Sequence, residues 1–434
     1  MVATISANRA LRLPYRSASL RLLTPPTTTP SPYRSSLRAA STFTTRKQKP
    51  PSKQPNTPGQ PPTTPMKPTN ALLFSTCPAT MLGPSSSSPQ QCPSTKYHYH
   101  LAASYIAKSR PFDPQTHLFQ FNPYNRLSQP PKSPKRPKSS RPESGQDAFF
   151  ISQLGASPSS GEVALGVADG VGGWMDSGVD PADFSHAFCD YMAANASSSD
   201  PPSTARELMQ RGYEAVCHDE SIKAGGSTAI VGLLTSNGKM EVANLGDSGF
   251  ILLRRGGVHA SSEPQTHAFN TPYQLSVVPP SMLLRAAAFG GAQLMDQPRD
   301  AEVTRHGLRH GDVVVFASDG LWDNLFEGDI LRIVSSVMRE RGVWRVNGER
   351  GCVVEEDIKS VTEGKTTLQG RLATEIVRQA KIASVDPKLD GPFAKEVKKY
   401  YPHEVWRGGK EDDICVVVVV VEEEGGAGSV KAKL

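Results

Sequence analysis

The first 112 residues of this 434-residue chain contain no aspartate and no glutamate, although they contain fourteen lysines and arginines. From Asp113 onward there are 34 basic and 42 acidic residues, so this part has a formal net charge of −8 although the whole chain has +6. The basic character therefore belongs to the N-terminal part alone. It gives no reason to expect that the rest of the chain binds nucleic acid.

The N-terminal part also lacks the apolar core of about 7–15 residues that a secretory signal needs. Its arginines are spaced among leucines, serines and threonines, a composition typical of an organellar presequence. We predict a mitochondrial presequence over residues 1–50, with the matrix as destination. A plastid presequence and a basic tail without a targeting role are the alternatives. Residues 51–95 are rich in proline, serine and threonine, and we predict a disordered linker there because they offer too little apolar surface to fold.

Long hydrophobic runs and paired cysteines are missing as well. The longest strongly apolar stretch, 416–421, is far shorter than the about 20 residues that a membrane-spanning helix needs, and it predicts a strand. The six cysteines form no CxxC pair and no zinc-like spacing. We therefore expect no transmembrane segment, no structural disulfides and a reducing compartment.

From residue 96 onward, short strand-like runs alternate with a few amphipathic helices, and we assign residues 96–422 to one domain. The clearest strands are predicted at 163–167, 240–244, 250–253, 312–316 and 414–421. N-capping residues or apolar repeats predict helices that begin near residues 181, 205 and 368. Because strands and helices do not alternate strictly, the pattern indicates an α+β layered domain.

Four irregular segments complete this prediction. A β-hairpin is expected with its turn at 246–248, where glycine and aspartate tolerate turn dihedrals. Lysine, arginine, proline and serine over 126–144 predict a basic loop, and weakly patterned polar residues over 341–365 predict an inserted loop. Residues 423–434 form a flexible tail.

Four short aspartate motifs lie at the ends of strand-like runs, and they contain Asp169, Asp247, Asp319 and the pair Asp412-Asp413. Two unit charges about 4 Å apart repel by about 4 kcal/mol at an effective dielectric constant of about 20. Several such pairs would rival the roughly 5–15 kcal/mol that keeps a domain folded. If these carboxylates converge, cations must lie between them, and hard oxygen ligands select magnesium, manganese or calcium over zinc.

In this order, the four motifs resemble those of the metal-dependent type 2C (PPM) protein phosphatases, and most closely a mitochondrial subgroup of that family. The stretch Gly-Val-Ala-Asp-Gly-Val-Gly-Gly-Trp at 166–174 carries the resemblance together with 243–250, 269–275 and 316–324. The similarity covers roughly residues 97–421. It implies two stacked antiparallel β-sheets flanked by α-helices, with two Mn²⁺ or Mg²⁺ ions at one end.

The resemblance also implies roles for individual residues. Asp169 would bridge both ions, and the carbonyl of Gly170 would bind one of them. Asp319 and Asp412 would complete the shell of the other ion. Paired ions lower the pKa of a bridging water and polarise phosphoryl oxygens for in-line attack, so no phosphoenzyme is expected.

Other positions match less well. Asp147 matches a position that holds bound water, and Asp247 matches one linked to a weaker third ion. Gln146 replaces an acidic residue that many members have, which would weaken the second ion's binding. Val171 replaces a histidine proposed as the general acid. Arg141 lies near the position of the phosphate-binding arginine, one residue too far from Asp147, and a solvated loop cation is the alternative.

The resemblance thus predicts a Mn²⁺- or Mg²⁺-dependent protein serine/threonine phosphatase that acts on phosphorylated mitochondrial proteins. We expect a monomer that binds no nucleic acid. Two alternatives remain: a pseudophosphatase that serves as a binding module, which Gln146 and Val171 would favour, and a hydrolase of a small phosphorylated metabolite.

Overall fold

The computed structural model describes residues 96–121, 135–156, 161–289, 295–348, 351–355 and 357–424. The predicted presequence, the linker, much of the predicted basic loop and most of the predicted tail lie outside these residues. Across the described ranges, no helix has both the length and the apolar character needed to cross a bilayer.

The described residues form seventeen β-strands and eight α-helices. The strands are β1 (Lys96–Ile106), β2 (Leu118–Gln120), β3 (Asp147–Gln153), β4 (Val163–Asp169), β5 (Gly225–Ser227), β6 (Ala229–Leu234), β7 (Lys239–Leu245), β8 (Gly249–Arg254), β9 (Gly257–Ser261), β10 (Thr266–Ala268), β11 (Thr271–Pro272), β12 (Leu275–Val277), β13 (Glu302–Gly307), β14 (Val313–Ala317), β15 (Trp344–Asn347), β16 (Gly351–Val354) and β17 (Ile414–Glu424). The helices are α1 (Pro181–Ala196), α2 (Ala205–His218), α3 (Pro280–Phe289), α4 (Asp319–Trp322), α5 (Glu327–Glu340), α6 (Lys359–Thr362), α7 (Leu368–Ser384) and α8 (Pro392–Tyr400).

Two antiparallel sheets are stacked face to face. One has six strands in the order β2-β1-β17-β14-β8-β9, and the other has five in the order β13-β7-β6-β4-β3. Apolar side chains from both sheets fill the space between them, among them Leu165, Phe250 and Phe316. Helices α5 and α7 cover the outer face of the six-stranded sheet, and α1 and α2 cover that of the five-stranded sheet. The predicted fold class, stacked sheets flanked by helices, is confirmed.

The valine run forms the central strand of the six-stranded sheet. Strand β17 pairs with β1 on one side and with β14 on the other. Val416, Val418 and Val420 pack with the helices on the outer face, whereas Val417 and Val419 face the other sheet. Because both faces of β17 are buried over residues 414–421, this part of the strand is continuously apolar and does not alternate between apolar and polar residues.

Side-chain caps explain where the predicted helices begin. The Asp180 carboxylate accepts a hydrogen bond from the N–H of Ala182 at the start of α1, at 3.1 Å. Thr204 caps α2 in the same way through the N–H of Glu207, at 3.1 Å. These contacts satisfy N–H groups that have no partner within the helix, and they confirm both predicted starts.

The predicted hairpin at 246–248 is wrong. Strand β7 belongs to the five-stranded sheet and β8 to the six-stranded sheet, so the chain passes between the two sheets here. Gly246 adopts a φ of +106°, a left-handed value that favours glycine. A Gly-Asp turn pattern does not distinguish a reversal within one sheet from a passage between two stacked sheets.

The segment 341–365, predicted as a loop, contains the hairpin β15–β16 and the short helix α6. Trp344 anchors it, because this side chain is buried and its indole N–H donates to the carbonyl of Gly311, at 3.0 Å. The few buried residues of this segment, among them Val343, Trp344 and Ile358, do not recur at a strand or helix period, so the sequence pattern does not predict the two strands.

Candidate metal centre

Four of the predicted site residues meet at one end of the sandwich. Asp147 is the first residue of β3 and Asp169 the last of β4, and the two are register partners across the antiparallel pair. Asp319 opens α4 directly after β14, and Asp412 precedes β17, the neighbour of β14. The carboxylates of Asp169 and Asp319 influence each other's pKa, although the two residues follow strands of different sheets. The stacking of the sheets therefore brings together carboxylates that are far apart in sequence.

Ser318 joins the two sheets beneath this cluster. Its hydroxyl donates to Asp147 Oδ2 at 2.6 Å and accepts from the N–H of Cys415 at 3.0 Å. Ser144 donates to the main-chain carbonyl of Asp147 at 2.6 Å. Asp147 is buried, so its carboxylate is held in one orientation. Ser318 was not predicted as a site residue.

The main chain around Asp169 is fixed by close contacts. The N–H of Thr228 donates to the Asp169 carbonyl at 2.9 Å, and the N–H of Gly170 donates to the Gln146 carbonyl at 3.1 Å. A Cβ atom on Gly170 would lie 2.9 Å from the Gln146 carbonyl oxygen and 3.0 Å from Pro181. The glycine therefore allows β4 to approach the start of α1 and of β3.

Asp413 binds main-chain N–H groups beside the carboxylate cluster. Its carboxylate accepts hydrogen bonds from the N–H of Lys108 at 2.5 Å and from the N–H of Gln146 at 2.7 Å. These bonds connect the residues after β1 and before β3 to the residue that precedes β17. The side chain of Gln146 donates to Met175 Sδ, at 3.2 Å. The position where many family members have an acid thus carries an amide bonded to a thioether.

Carboxylates at the centre bind protons more tightly than usual. Burial raises the pKa of Asp147 well above its ordinary value, and the charge of Asp413 raises it further. Burial likewise raises the pKa of Asp169, with Asp147 as the next cause. Burial and the charges of neighbouring carboxylates both disfavour ionisation here, and a bound cation would oppose both effects.

Asp247, at the passage between the sheets, belongs to the same cluster electrostatically. Burial and then the charge of Asp319 raise the pKa of Asp247 to about 7. Its Oδ1 atom is buried and has no hydrogen-bond partner among the described residues. Burial and then Asp319 also raise the pKa of Asp412. An unpartnered buried carboxylate oxygen is the kind of donor that a cation or an ordered water satisfies.

A lysine ammonium lies among these carboxylates. Lys410 Nζ is 2.5 Å from Asp319 Oδ2, 2.6 Å from Asp323 Oδ2 and 3.3 Å from Asp412 Oδ2. Burial is the largest single influence on the pKa of Asp319 and would raise it, but the charge of Lys410 and the hydrogen bonds around the carboxylate together lower the pKa. Lys410 is the main compensating charge for this group, and it was not predicted as a site residue.

The residues present fit hard divalent cations by chemistry and charge. The donors are carboxylate oxygens, which suit Mg²⁺ and Mn²⁺, and their mutual repulsion, one cause of their raised pKa values, would be relieved by a cation. In the part of the chain that the structure describes, no three acidic, histidine or cysteine side chains are already arranged around one ion position. The Lys410 ammonium lies at the meeting point of Asp319 and Asp412.

We expect the metal-free protein to show a pH dependence caused by Asp247. An unfolded aspartate titrates near ~3.9, whereas the pKa of folded Asp247 is about 7. Between these values the folded state binds more protons, so this residue's contribution to stability falls as pH rises. The melting temperature of Asp247→Asn minus that of the wild type, measured in EDTA, should therefore increase from pH 4.5 to pH 7.5. A constant or decreasing difference would contradict the prediction.

Arg141 is not in contact with the carboxylate cluster. It pairs with Asp183 in the first turn of α1, with NH1 3.0 Å from Oδ1. Its Nε atom is buried and has no hydrogen-bond partner among the described residues. Other cations in the described part of the basic loop also pair with acidic residues, namely Lys135 with Asp219, Arg136 with Asp190 and Lys138 with Asp183. They hold the loop against α1 and the end of α2.

Val171 lies between Asp169 and a short 3₁₀-helix over Gly172–Ser177. A valine side chain cannot transfer a proton, so this position supplies no general acid. Trp174 in the same turn is buried, and its indole N–H donates to Gln274 Oε1 at 3.0 Å. The stretch 166–174 therefore contributes Asp169 to the site and also a buried tryptophan that fixes the main chain after it.

The sequence is similar to those of known proteins. Residues 138–356 match the family described as Protein phosphatase 2C. Protein phosphatase 2C homolog 7, mitochondrial, of Saccharomyces cerevisiae is 33% identical over 279 residues, which cover 63% of this chain and 73% of that protein. The 5-azacytidine resistance protein azr1 of Schizosaccharomyces pombe is 34% identical over 275 residues, 63% of this chain and 80% of that protein.

A third relative, Protein phosphatase PTC7 homolog fig of Drosophila yakuba, is 35% identical over 272 residues. This alignment covers 62% of this chain and 73% of the fly protein. The family match includes Asp147, Asp169, Asp247 and Asp319 and ends before Asp412, which the structure places beside them. The chain therefore belongs to the protein phosphatase 2C family of metal-dependent protein serine/threonine phosphatases, within its PTC7-like subgroup.

Proposed function

We propose that the protein removes phosphate from phosphoserine and phosphothreonine of mitochondrial proteins with two Mn²⁺ or Mg²⁺ ions. Asp169, Gly170, Asp319 and Asp412 would hold the ions. The convergence of buried, proton-retaining carboxylates at one end of the sandwich carries this proposal. When bound, such ions supply a water of lowered pKa and a positive clamp on the phosphoryl oxygens.

The protein's own hydrogen bonds would orient the carboxylates that hold the ions and the attacking water. Asp169 stands at the end of a central strand whose main chain is fixed on both sides, so its carboxylate is preorganised. Asp147, held by Ser318, is placed to accept a hydrogen bond from a water at the centre. Arg141 and its unpartnered Nε would bind phosphate only if the pair with Asp183 opens.

The described cysteines argue against attack by a thiolate. Burial raises the pKa of Cys415, the cysteine next to the centre, well above its ordinary value, and it also raises that of Cys189. Both side chains are fully buried. Direct attack by water on phosphorus fits this environment better than a phosphocysteine intermediate.

Two observations support a mitochondrial location. The name of the yeast relative includes the word mitochondrial, and the N-terminal 112 residues have the acid-free, arginine-rich composition of a presequence. We propose that the substrates are phosphorylated proteins of the matrix and that the phosphatase acts as a monomer.

The proposal is tested with the full chain purified in EDTA and then supplied with MnCl₂ or MgCl₂. We expect metal-dependent hydrolysis of phosphoserine and phosphothreonine peptides and of a generic aryl phosphate, at least ~100-fold above the EDTA background. Faster turnover of small phosphorylated metabolites than of peptides would identify a metabolite hydrolase instead.

The competing function is a binding module without catalysis, which Gln146 favours because its amide adds no negative charge for a second ion. In that case the folded protein would bind phosphopeptides without turnover at any Mn²⁺ concentration. Gln146→Glu would then be the first variant to restore activity.

A further inference from the structure

The Lys410 side chain is held at a defined place in the carboxylate cluster. Its ammonium has three carboxylate partners, Asp319, Asp323 and Asp412, at 2.5, 2.6 and 3.3 Å. The side chain is only 15% exposed, so these pairs are much less screened than pairs at the surface. By comparison, Lys108 Nζ is 3.8 Å from Asp412 Oδ1, and its side chain is 55% exposed.

The main chain of Lys410 is fixed as well. The buried Asn324 accepts from the Lys410 N–H at 2.9 Å and donates to the Lys410 carbonyl at 2.9 Å. Nζ also lies 3.3 Å from Asn270 Oδ1 and 5.2 Å from the ring centroid of Phe393, where the ring face attracts a cation. With contacts on the main chain and on the ammonium, the position of this lysine is built into the fold.

We propose that Lys410 is an internal counter-cation that competes with the metal ions. In the metal-free protein it neutralises Asp319 and Asp412, and it withdraws toward Asp323 when an ion binds these two carboxylates. The proposal rests on the proposed function, because it assumes that Asp319 and Asp412 are ion ligands.

The Lys410 ammonium and a metal ion would compete for the same carboxylate oxygens. An ammonium 2.5 Å from Asp319 Oδ2 occupies the space in which an ion bound to that oxygen would lie. Two cations at one carboxylate repel each other strongly in a partly buried site. Asp323 offers the ammonium a partner outside the predicted ligand set, at 2.6 Å. Lys410 therefore stabilises the metal-free fold and lowers the affinity for the ions.

The test measures Mn²⁺ binding to the full chain, by the electron paramagnetic resonance signal of free Mn²⁺, without any activity assay. Lys410→Met keeps most of the side-chain volume and removes the charge. We expect it to bind Mn²⁺ about tenfold or more tightly than the wild type, because the competing charge is gone. The melting temperature in EDTA should fall, because three carboxylates lose their partner.

Two further variants separate charge from packing. Lys410→Arg retains a positive charge and should bind Mn²⁺ no more tightly than the wild type. Lys108→Met removes a more exposed charge near Asp412, and its Mn²⁺ affinity should stay within about twofold of the wild type. Equal affinity of Lys410→Met and the wild type would overturn the proposal and leave Lys410 a structural ion pair.

The test also covers two cases, a protein that binds no Mn²⁺ and a Lys410→Met variant that does not fold. If neither the wild type nor any variant binds Mn²⁺, the metal centre itself is refuted, which is a separate failure. If Lys410→Met does not fold in EDTA, the wild type is probed by amine labelling and mass spectrometry with and without Mg²⁺. Faster labelling of Lys410 in Mg²⁺ supports its withdrawal from Asp319 and Asp412, and an unchanged rate overturns it.

Discussion

Replacing Asp169 by asparagine is expected to lower the Mn²⁺-dependent hydrolysis of phosphopeptides by at least ~1,000-fold. Asp169 ends β4 beside Asp147, and its charge affects Asp319 across the two sheets, so we propose it as the carboxylate that would contact both ions. Asparagine has nearly the same shape but no charge, and the hydrogen bonds to its main chain remain. The measurement is kcat/KM with a phosphothreonine peptide, together with the rise in melting temperature on addition of Mn²⁺.

The matched control is Asp200→Asn, which makes the same chemical change where the side chain is 91% exposed, in the connection between α1 and α2. We expect this variant to keep its activity within about twofold, as exposed charges contribute little. Asp169→Asn should also melt at the same temperature in the presence and absence of Mn²⁺. If it retained more than about a tenth of the activity at saturating Mn²⁺, Asp169 could not be the bridging ligand.

Gly320→Ala is expected to reduce the free energy of unfolding by about 3 kcal/mol or more and to abolish Mn²⁺ binding. A Cβ atom at this position would lie 2.0 Å from the Asp413 carbonyl oxygen and 3.0 Å from Ile414 Cγ1. The first of these atoms belongs to the main chain, so the clash cannot be relieved by a rotamer change. It would push α4, which begins with Asp319, away from the start of β17.

Gly173→Ala is the control, because a Cβ atom there would have no neighbour within 4 Å. Its free energy of unfolding, from urea denaturation, should remain within about 1 kcal/mol of the wild type. The two variants separate the general effect of a glycine-to-alanine change from the steric effect at the centre. A Gly320→Ala protein with the unfolding midpoint of the wild type would show that α4 and β17 can move apart freely.

Local patterns were sufficient to predict much of the fold. The uninterrupted valines of β17, the capping residues of α1 and α2 and the apolar repeat of α7 each reflect forces that act within one element. The stacking of the two sheets came from the resemblance, since composition alone indicated only a layered α+β domain. The passage at Gly246 was missed, because local turn chemistry says nothing about which sheet the next strand joins.

At the site, too, local patterns were predictable from the sequence, whereas contacts between distant residues were not. The aspartates were found because each motif is local and because the motifs occur in a known order. Ser318, Asn324 and Lys410 were missed as partners, because their contacts cross long stretches of sequence. Ser318 meets Asp147 across 171 positions, and Asn324 meets Lys410 across 86. Only a folded chain shows that a lysine two residues before Asp412 points at the same carboxylates.

The placement of β17 has a consequence for the order of events in the cell. The first and last strands of the domain are neighbours along eleven residue pairs, and β17 also separates β1 from β14. Until the ribosome has released residues 414–424, the six-stranded sheet has a gap in its middle and two unpaired edges. Asp412 lies two residues before β17, so its position beside the other carboxylates depends on the pairing of β17 with β14.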